Sequence, residues 1–199
     1  MKAISNFFSI AILATFVENM LFKHSLGLAG EFGYSKKLDH TNTLWNGALS
    51  TVLIVVASFP LHVASRVLSN YKYSFVYIPL VYTFLITATY FAAIVISKEY
   101  LPMIYHKIIK HIPISTYNAA LIGGYILSQS NMYTKMYQTV AFCFGSAIGY
   151  TIATMLVVEG ARKISISDVP RPFKGIPVMM IYIGLLSLVF FGISREFIG

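Results

Sequence analysis

Charge is scarce in this chain. Only 11% of its 199 residues are Asp, Glu, Lys or Arg, while 57% are apolar and the mean hydropathy is +0.71. A soluble globular domain carries roughly 25% charged residues, so that class is excluded and the apolar excess must face lipid. Cysteine is nearly absent as well: Cys143 stands alone, which excludes an internal disulfide and a cysteine-cluster metal site supplied by this chain by itself. Set in an apolar stretch, it reads as inert packing. No phosphate-binding loop, zinc motif or nucleophile triad is present, so the chain offers no self-contained enzyme site. Acidic residues are the rarer charge, seven against fifteen basic, giving +8 and a pI near 9.5. The basic residues fall between apolar stretches and form no patch or tail. They report topology in a membrane and do not point to nucleic acid.

A bilayer core of roughly 30 Å takes about 20 mainly apolar residues per helix, and a helix satisfies its own backbone where water is missing. The expected fold is therefore all-α and polytopic, with about six transmembrane helices in a single domain. Residues 3–22 form the first apolar region, interrupted by Glu18 and Asn19 and followed by the Gly-rich 26–30 and the polar 35–39. Together these exceed a membrane thickness, so one straight helix cannot hold them. The opening run after Lys2 resembles a signal peptide, but no small-x-small cleavage site follows, and it is read as a retained first span. Residues 45–66 and 73–97 form the second and third spans, with Pro60 and Pro79 inside. Residues 101–111 alternate Lys107, Lys110, His106 and His111 with Ile and Met, a surface-helix pattern. The fourth region, 112–128, is again interrupted, by Pro113, Asn118, Gly123 and Gly124. The fifth, 137–158, carries Gly145, Ser146, Ala147 and Gly149, a face that lets another helix approach closely. A polar loop over 159–174 contains Pro170 and Pro172, and the sixth span runs over 175–193.

On six spans, ten Lys and Arg residues fall on one side (23, 36, 37, 98, 107, 110, 162, 163, 171, 174) and five on the other (2, 66, 72, 135, 195). The positive-inside rule then puts the odd-numbered loops in the cytoplasm and both termini outside. An interrupted region opens each half, about 1–98 and about 99–199, and a small-residue span follows in each. Three spans per half would invert the second half relative to the first, the pattern in which broken helices build the working site at mid-membrane.

Glu18 is the charged residue set inside an apolar region; it marks an ion or proton path, or it braces the break. Asn19 and Asn118, one per interruption, suit the backbone groups that a broken helix frees. Lys23 and His24 read as side chains that snorkel to the headgroups. The five-residue spacing of His106 and His111 is poor for one helical face, so lipid or a partner suits them better than a metal. Asp168 caps a turn or touches another subunit.

Three stretches resemble the RnfA/NqrE family of membrane subunits, from Rnf and sodium-pumping NADH:quinone reductase complexes. After Val17-Glu18-Asn19-Met20, residues 26–38, from Leu26-Gly27-Leu28-Ala29 to Ser35-Lys36-Lys37-Leu38, are similar to the family's L-G-x-C-x-F-x-x-V-S-K-K. Residues 112–123, including Ile112-Pro113 and Thr116-Tyr117-Asn118-Ala119-Ala120, resemble L-P-L-I-T-x-N-C-A-x-x-G. Ser167-Asp168-Val169-Pro170-Arg171-Pro172-Phe173-Lys174-Gly175 resembles S-D-V-P-x-x-F-R-G. The resemblance implies six spans in an inverted repeat and an opposite-facing RnfE/NqrD-like partner. It also implies neighbouring flavin and iron-sulfur subunits, and inner-membrane location. One cysteine from each interrupted region would then contribute, with two from the partner, to a two-iron two-sulfur cluster. This sequence departs at both positions, which are Ala29 and Ala119. A methyl group cannot ligate iron, so the usual cluster is not expected and no cofactor is expected to be held by this chain alone. Two functions follow: a core subunit of an ion-translocating electron-transport complex, or a paralogue that has left redox work for solute or ion transport or for anchoring another assembly.

Overall fold

A computed structural model of the protein describes residues 2–27, 40–69, 73–100, 102–130 and 135–198. Every regular element among them is helical: α1 (Lys2–Ile12), α2 (His40–Leu68), α3 (Ser74–Tyr100), α4 (Pro102–Ile108), α5 (Ile112–Thr116), α6 (Ala119–Ser130), α7 (Met136–Ser165) and α8 (Ile176–Ile198). A π-helical turn, Leu13–Val17, continues α1, and a 3-10 turn, Arg171–Phe173, precedes α8. Four of the helices, α2, α3, α7 and α8, are long and apolar enough to cross a bilayer. The protein is a multi-pass α-helical membrane protein. Its first and fourth apolar regions are the interrupted ones: α1 with its π turn, and the α5–α6 pair.

α7 is the centre of the bundle. In its apolar window 61% of residues are buried, against 11% in α3 and in α8, whose apolar faces are left for lipid or a neighbour. The hydrophobic effect does not drive helices together inside lipid, so close van der Waals packing through small residues must. The glycines show where this happens. A Cβ on Gly145 would lie 2.2 Å from the Ala11 carbonyl oxygen, and one on Gly149 would lie 2.7 Å from that of Thr15, so α1 and its π turn press backbone to backbone on α7. Gly47 of α2 meets Thr151, and Gly160 meets Tyr182 of α8. Ala141, Phe142, Cys143, Ala147 and Ala153 fill the centre with no exposed surface.

The expected loop over 159–174 starts later than the sequence suggested. α7 continues to Ser165, its last turns carrying the Glu159–Arg162 pair at 3.8 Å. The first residue that bars a helix is Pro170.

Candidate functional site

The two interruptions are built alike. In the first, Thr15 Oγ1 lies 2.8 Å from the Ala11 carbonyl and 2.9 Å from that of Gly145 on α7. A hydroxyl that competes for a main-chain acceptor loosens the helix locally, and here the ladder widens: Glu18 N donates to the Leu13 carbonyl, 3.0 Å away, five residues back. Asn19 closes the break. Its Nδ2 donates to the carbonyls of Thr15 (3.0 Å) and Gly149 (3.1 Å), and its Oδ1 accepts from the amides of Leu21 (3.1 Å) and Phe22 (3.2 Å). The second break falls between α5 and α6. Pro113 lies in the first turn of α5, and Asn118 Oδ1 accepts from the Ala120 amide at 2.9 Å. Ser115 Oγ donates to the Asn46 carbonyl of α2 at 3.2 Å, as Thr15 does to Gly145 of α7. Each broken segment thus leans on a long helix from the other half of the chain.

The two breaks also touch each other. Gly27, at φ +88°, stands so close to the second break that a Cβ there would lie 3.1 Å from the Tyr150 ring, 3.2 Å from Ala120 Cβ and 3.4 Å from Asn118 Oδ1. Leu26 packs over Gly123, and Met20 over Gly124. Gly149 and Tyr150 lie near the middle of the 30-residue α7, so this junction is level with the middle of that helix. Asn118 and Ala120 are buried, and Ala119 between them is exposed. Ala29 lies outside the described residues.

Glu18 sits at this level with its side chain 18% exposed. Lys23 and His24, expected to reach for the headgroups, both contact the Glu18 carboxylate. After Asn19 the chain coils tightly, with Ser25 at φ +56°, and both side chains turn back on the carboxylate. Lys23 Nζ lies 2.5 Å from Glu18 Oε1, and His24 Nε2 lies 3.1 Å from Oε2. Sequence reasoning singled out Glu18 and missed its partners, because their direction is set by that reversal. The spacing of five and six residues was the available signal, and it does not match one helical face.

His111 also turns inward: its Nδ1 is 2.5 Å from Asn46 Oδ1. It stands in the turn ahead of α5, outside the spanning segments, where burial and then the neighbouring Lys110 charge lower its pKa. Asp168 lies in the exposed link after α7, away from the junction.

Broken helices meeting level with the middle of α7 around asparagines define the class, a multi-pass membrane protein of interrupted-helix construction. The chain belongs to the Rnf-Nqr family: the family described as "Rnf-Nqr subunit, membrane protein" matches residues 7–195. It is 28% identical over 193 residues to a subunit of the ion-translocating oxidoreductase complex of Actinobacillus pleuropneumoniae serotype 5b, covering 93% of this chain and 94% of that one. It is 30% identical over 190 residues to the like-named subunit of Syntrophotalea carbinolica, covering 95% and 96%. With that of Vibrio cholerae serotype O1 it shares 28% over 186 residues, covering 89% and 91%.

Proposed function

We propose that this chain is a non-catalytic membrane subunit of an Rnf/Nqr-like ion-translocating electron-transport complex, paired with an opposite-facing homologous subunit. It lies in the inner membrane, with odd-numbered loops cytoplasmic and both termini outside. Flavin and iron-sulfur subunits of the complex supply the electron carriers. The observation that carries this reading is the meeting of the two breaks level with the middle of α7, each braced by a long helix from the other half, an arrangement that suits an inverted repeat. The relatives named as subunits of such a complex align over nearly their whole length, which supports the same assignment.

The side chains at the junction do not fit a two-iron two-sulfur cluster. Such a cluster needs thiolates or imidazoles, and Ala119 offers a methyl. Cys143 is fully buried on α7, seven residues and so about 10 Å along the axis from Tyr150. Among the described residues, no three of His, Cys, Asp and Glu gather as a metal site would need. In place of metal ligands, the junction has the polar residues Glu18, Asn19 and Asn118, and we assign the ion path to the charged one.

The test is purification of the tagged chain from its host membrane. Co-purification with flavin-bearing and iron-sulfur subunits, together with a homologous membrane subunit, is the expected result. Isolation as a homodimer that takes up solute would overturn it in favour of a transporter. A cluster signal that depends on this chain's residues would overturn the cluster-free junction.

A further inference from the structure

We propose that the bundle holds a bound water between α2, α3, α6 and α7, bridging the side chains of Tyr125 and Gln129. Inside a bilayer no bulk water satisfies a polar side chain, so each one finds a protein partner or keeps a water of its own. Most polar groups in this part of the bundle have a partner. His62 Nδ1 on α2 lies 3.1 Å from Thr139 Oγ1 on α7, and Ser128 Oγ donates to the Tyr125 carbonyl at 2.6 Å. Two atoms stand apart: the Tyr125 hydroxyl and Gln129 Nε2 are buried and make no hydrogen bond to any described residue. Such orphans are rare in folded proteins, and an internal water is the usual reason for one.

The two orphans belong to one place. Four residues apart, they share a face of α6, and both come to Ser65 on α2. Gln129 Oε1 is 3.1 Å from Ser65 Oγ, and the side chains of Tyr82 and Tyr125 stand beside that hydroxyl. Ser65 has no proton to spare for the tyrosine, because its single one faces the His62 carbonyl at 2.8 Å and the Gln129 oxygen. The Tyr82 ring meets Tyr125 edge-on, with centroids 5.0 Å apart and planes at 79°, which fixes the phenol in position. Tyr125 has only 1% of its surface exposed. Turning the glutamine amide over does not help, since it trades a bare nitrogen for a bare oxygen.

The chemistry selects the occupant. A water can accept from one group and donate to the other, whichever way the amide is turned. An apolar ligand would leave both bare. A hard cation takes several oxygen ligands, and inside a membrane a charge is held by a paired opposite one. The four helices carry two carboxylates between them, Glu99 and Glu159. These lie at the far ends of α3 and α7, seventeen residues from Tyr82 and sixteen from Cys143, so about 24 Å or more along the axes. Arg66, four residues past His62, repels a cation further. The water also has structural work. At 12 residues α6 is too short to cross the bilayer by itself, and the bridge fastens it to α2 just beyond Gly124, where Met20 and Ser146 pack.

The chain has two glutamines, Gln129 and Gln138. Labelling the glutamine side chains with 15N in the full chain, placed in lipid nanodiscs, therefore gives two amide signals, which either Gln129→Leu or Gln138→Glu assigns. Through-space transfer of magnetisation from water to the Gln129 amide protons is expected, with shifts identical in NaCl, KCl and sodium gluconate. No transfer, or transfer from lipid methylenes alone, would overturn the proposal, and so would a shift that follows the cation or the anion. Stability gives an independent sign. If the Tyr125 hydroxyl is bare, removing it relieves a buried unsatisfied group, and Tyr125→Phe raises the thermal unfolding midpoint; if it holds water, the same change lowers the midpoint. A lower midpoint is expected. Tyr125→Phe combined with Gln129→Leu should shift it by less than the sum of the single shifts, because both lose one shared water. A raised midpoint for Tyr125→Phe, or additive shifts, would sink the bridge. The magnetisation transfer is read on the unaltered chain, and Gln138→Glu assigns it even where Gln129→Leu fails to fold.

Discussion

Asn19 and Asn118 occupy the same point of two broken helices, and each side-chain oxygen takes a backbone amide just past its break: Leu21 and Phe22 for the first, Ala120 for the second. The two are unequal: Asn19 Oδ1 accepts from two amides and Asn118 Oδ1 from one. Asn19 also donates to two carbonyls, one of them on α7.

That inequality sets an order of mutational cost. Hydrogen bonds inside membranes are worth on average about 0.6 kcal/mol each, so Asn19→Ala, losing four, should cost about 2 kcal/mol. Asn118→Ala loses one side-chain bond and should cost roughly 0.6 kcal/mol. Unfolding titrations in mixed micelles would read both, and equal costs would contradict the geometry.

Gly145 is the closest approach of α1 to α7. Gly145→Ala pushes a methyl to 2.2 Å from the Ala11 carbonyl oxygen and should cost about 1–3 kcal/mol, as overpacking does. Gly184→Ala and Gly192→Ala meet nothing within 4 Å and should stay within about 0.5 kcal/mol of wild type. If either of those two leaves the isolated chain stable but lowers the yield of complex, the exposed face of α8 is where a partner packs.

The cluster can be approached from the opposite direction. Ala29→Cys or Ala119→Cys alone supplies one thiolate, which is too few. The double variant, co-expressed with the homologous membrane subunit, should gain iron and the visible absorption of a two-iron cluster. Iron equal in single, double and unaltered chains would show that these positions do not govern it.

Stability should also depend on pH through His111. Its pKa is lowered in the folded chain by burial and by Lys110, so the unfolded chain protonates first as pH falls. Its contribution is complete above the unfolded value near 6.5 and is lost as pH drops through the lowered folded value. Thermal unfolding in detergent at about pH 7.5 and about pH 5.5 should show a smaller fall for His111→Gln than for wild type.

Much of the fold was legible because lipid enforces simple rules. The spans read as 45–66, 73–97, 137–158 and 175–193 correspond to α2, α3, α7 and α8, each of which runs farther in at least one direction. The interruptions were legible as well, since Glu18-Asn19 and Pro113 with Asn118 are out of place in a uniform span. The Gly145 and Gly149 face was read as a packing face, and α1 with its π turn packs there. What stayed hidden depends on backbone reversals and distant pairings. That Lys23 and His24 fold back on Glu18 follows from the coil ending at Ser25 and Gly27. That His111 reaches Asn46 joins residues 65 apart in the chain. Periodicity carries neither fact.

The contact between Asn19 and Gly149 has a consequence for how the protein is made. The donor precedes its acceptor by 130 residues, so at about 5–20 residues per second the ribosome supplies the acceptor roughly 7–26 s later. During that interval the first segment waits in the bilayer with Glu18 and an unfinished break, and whatever shelters it until α7 arrives acts as a chaperone for membrane insertion.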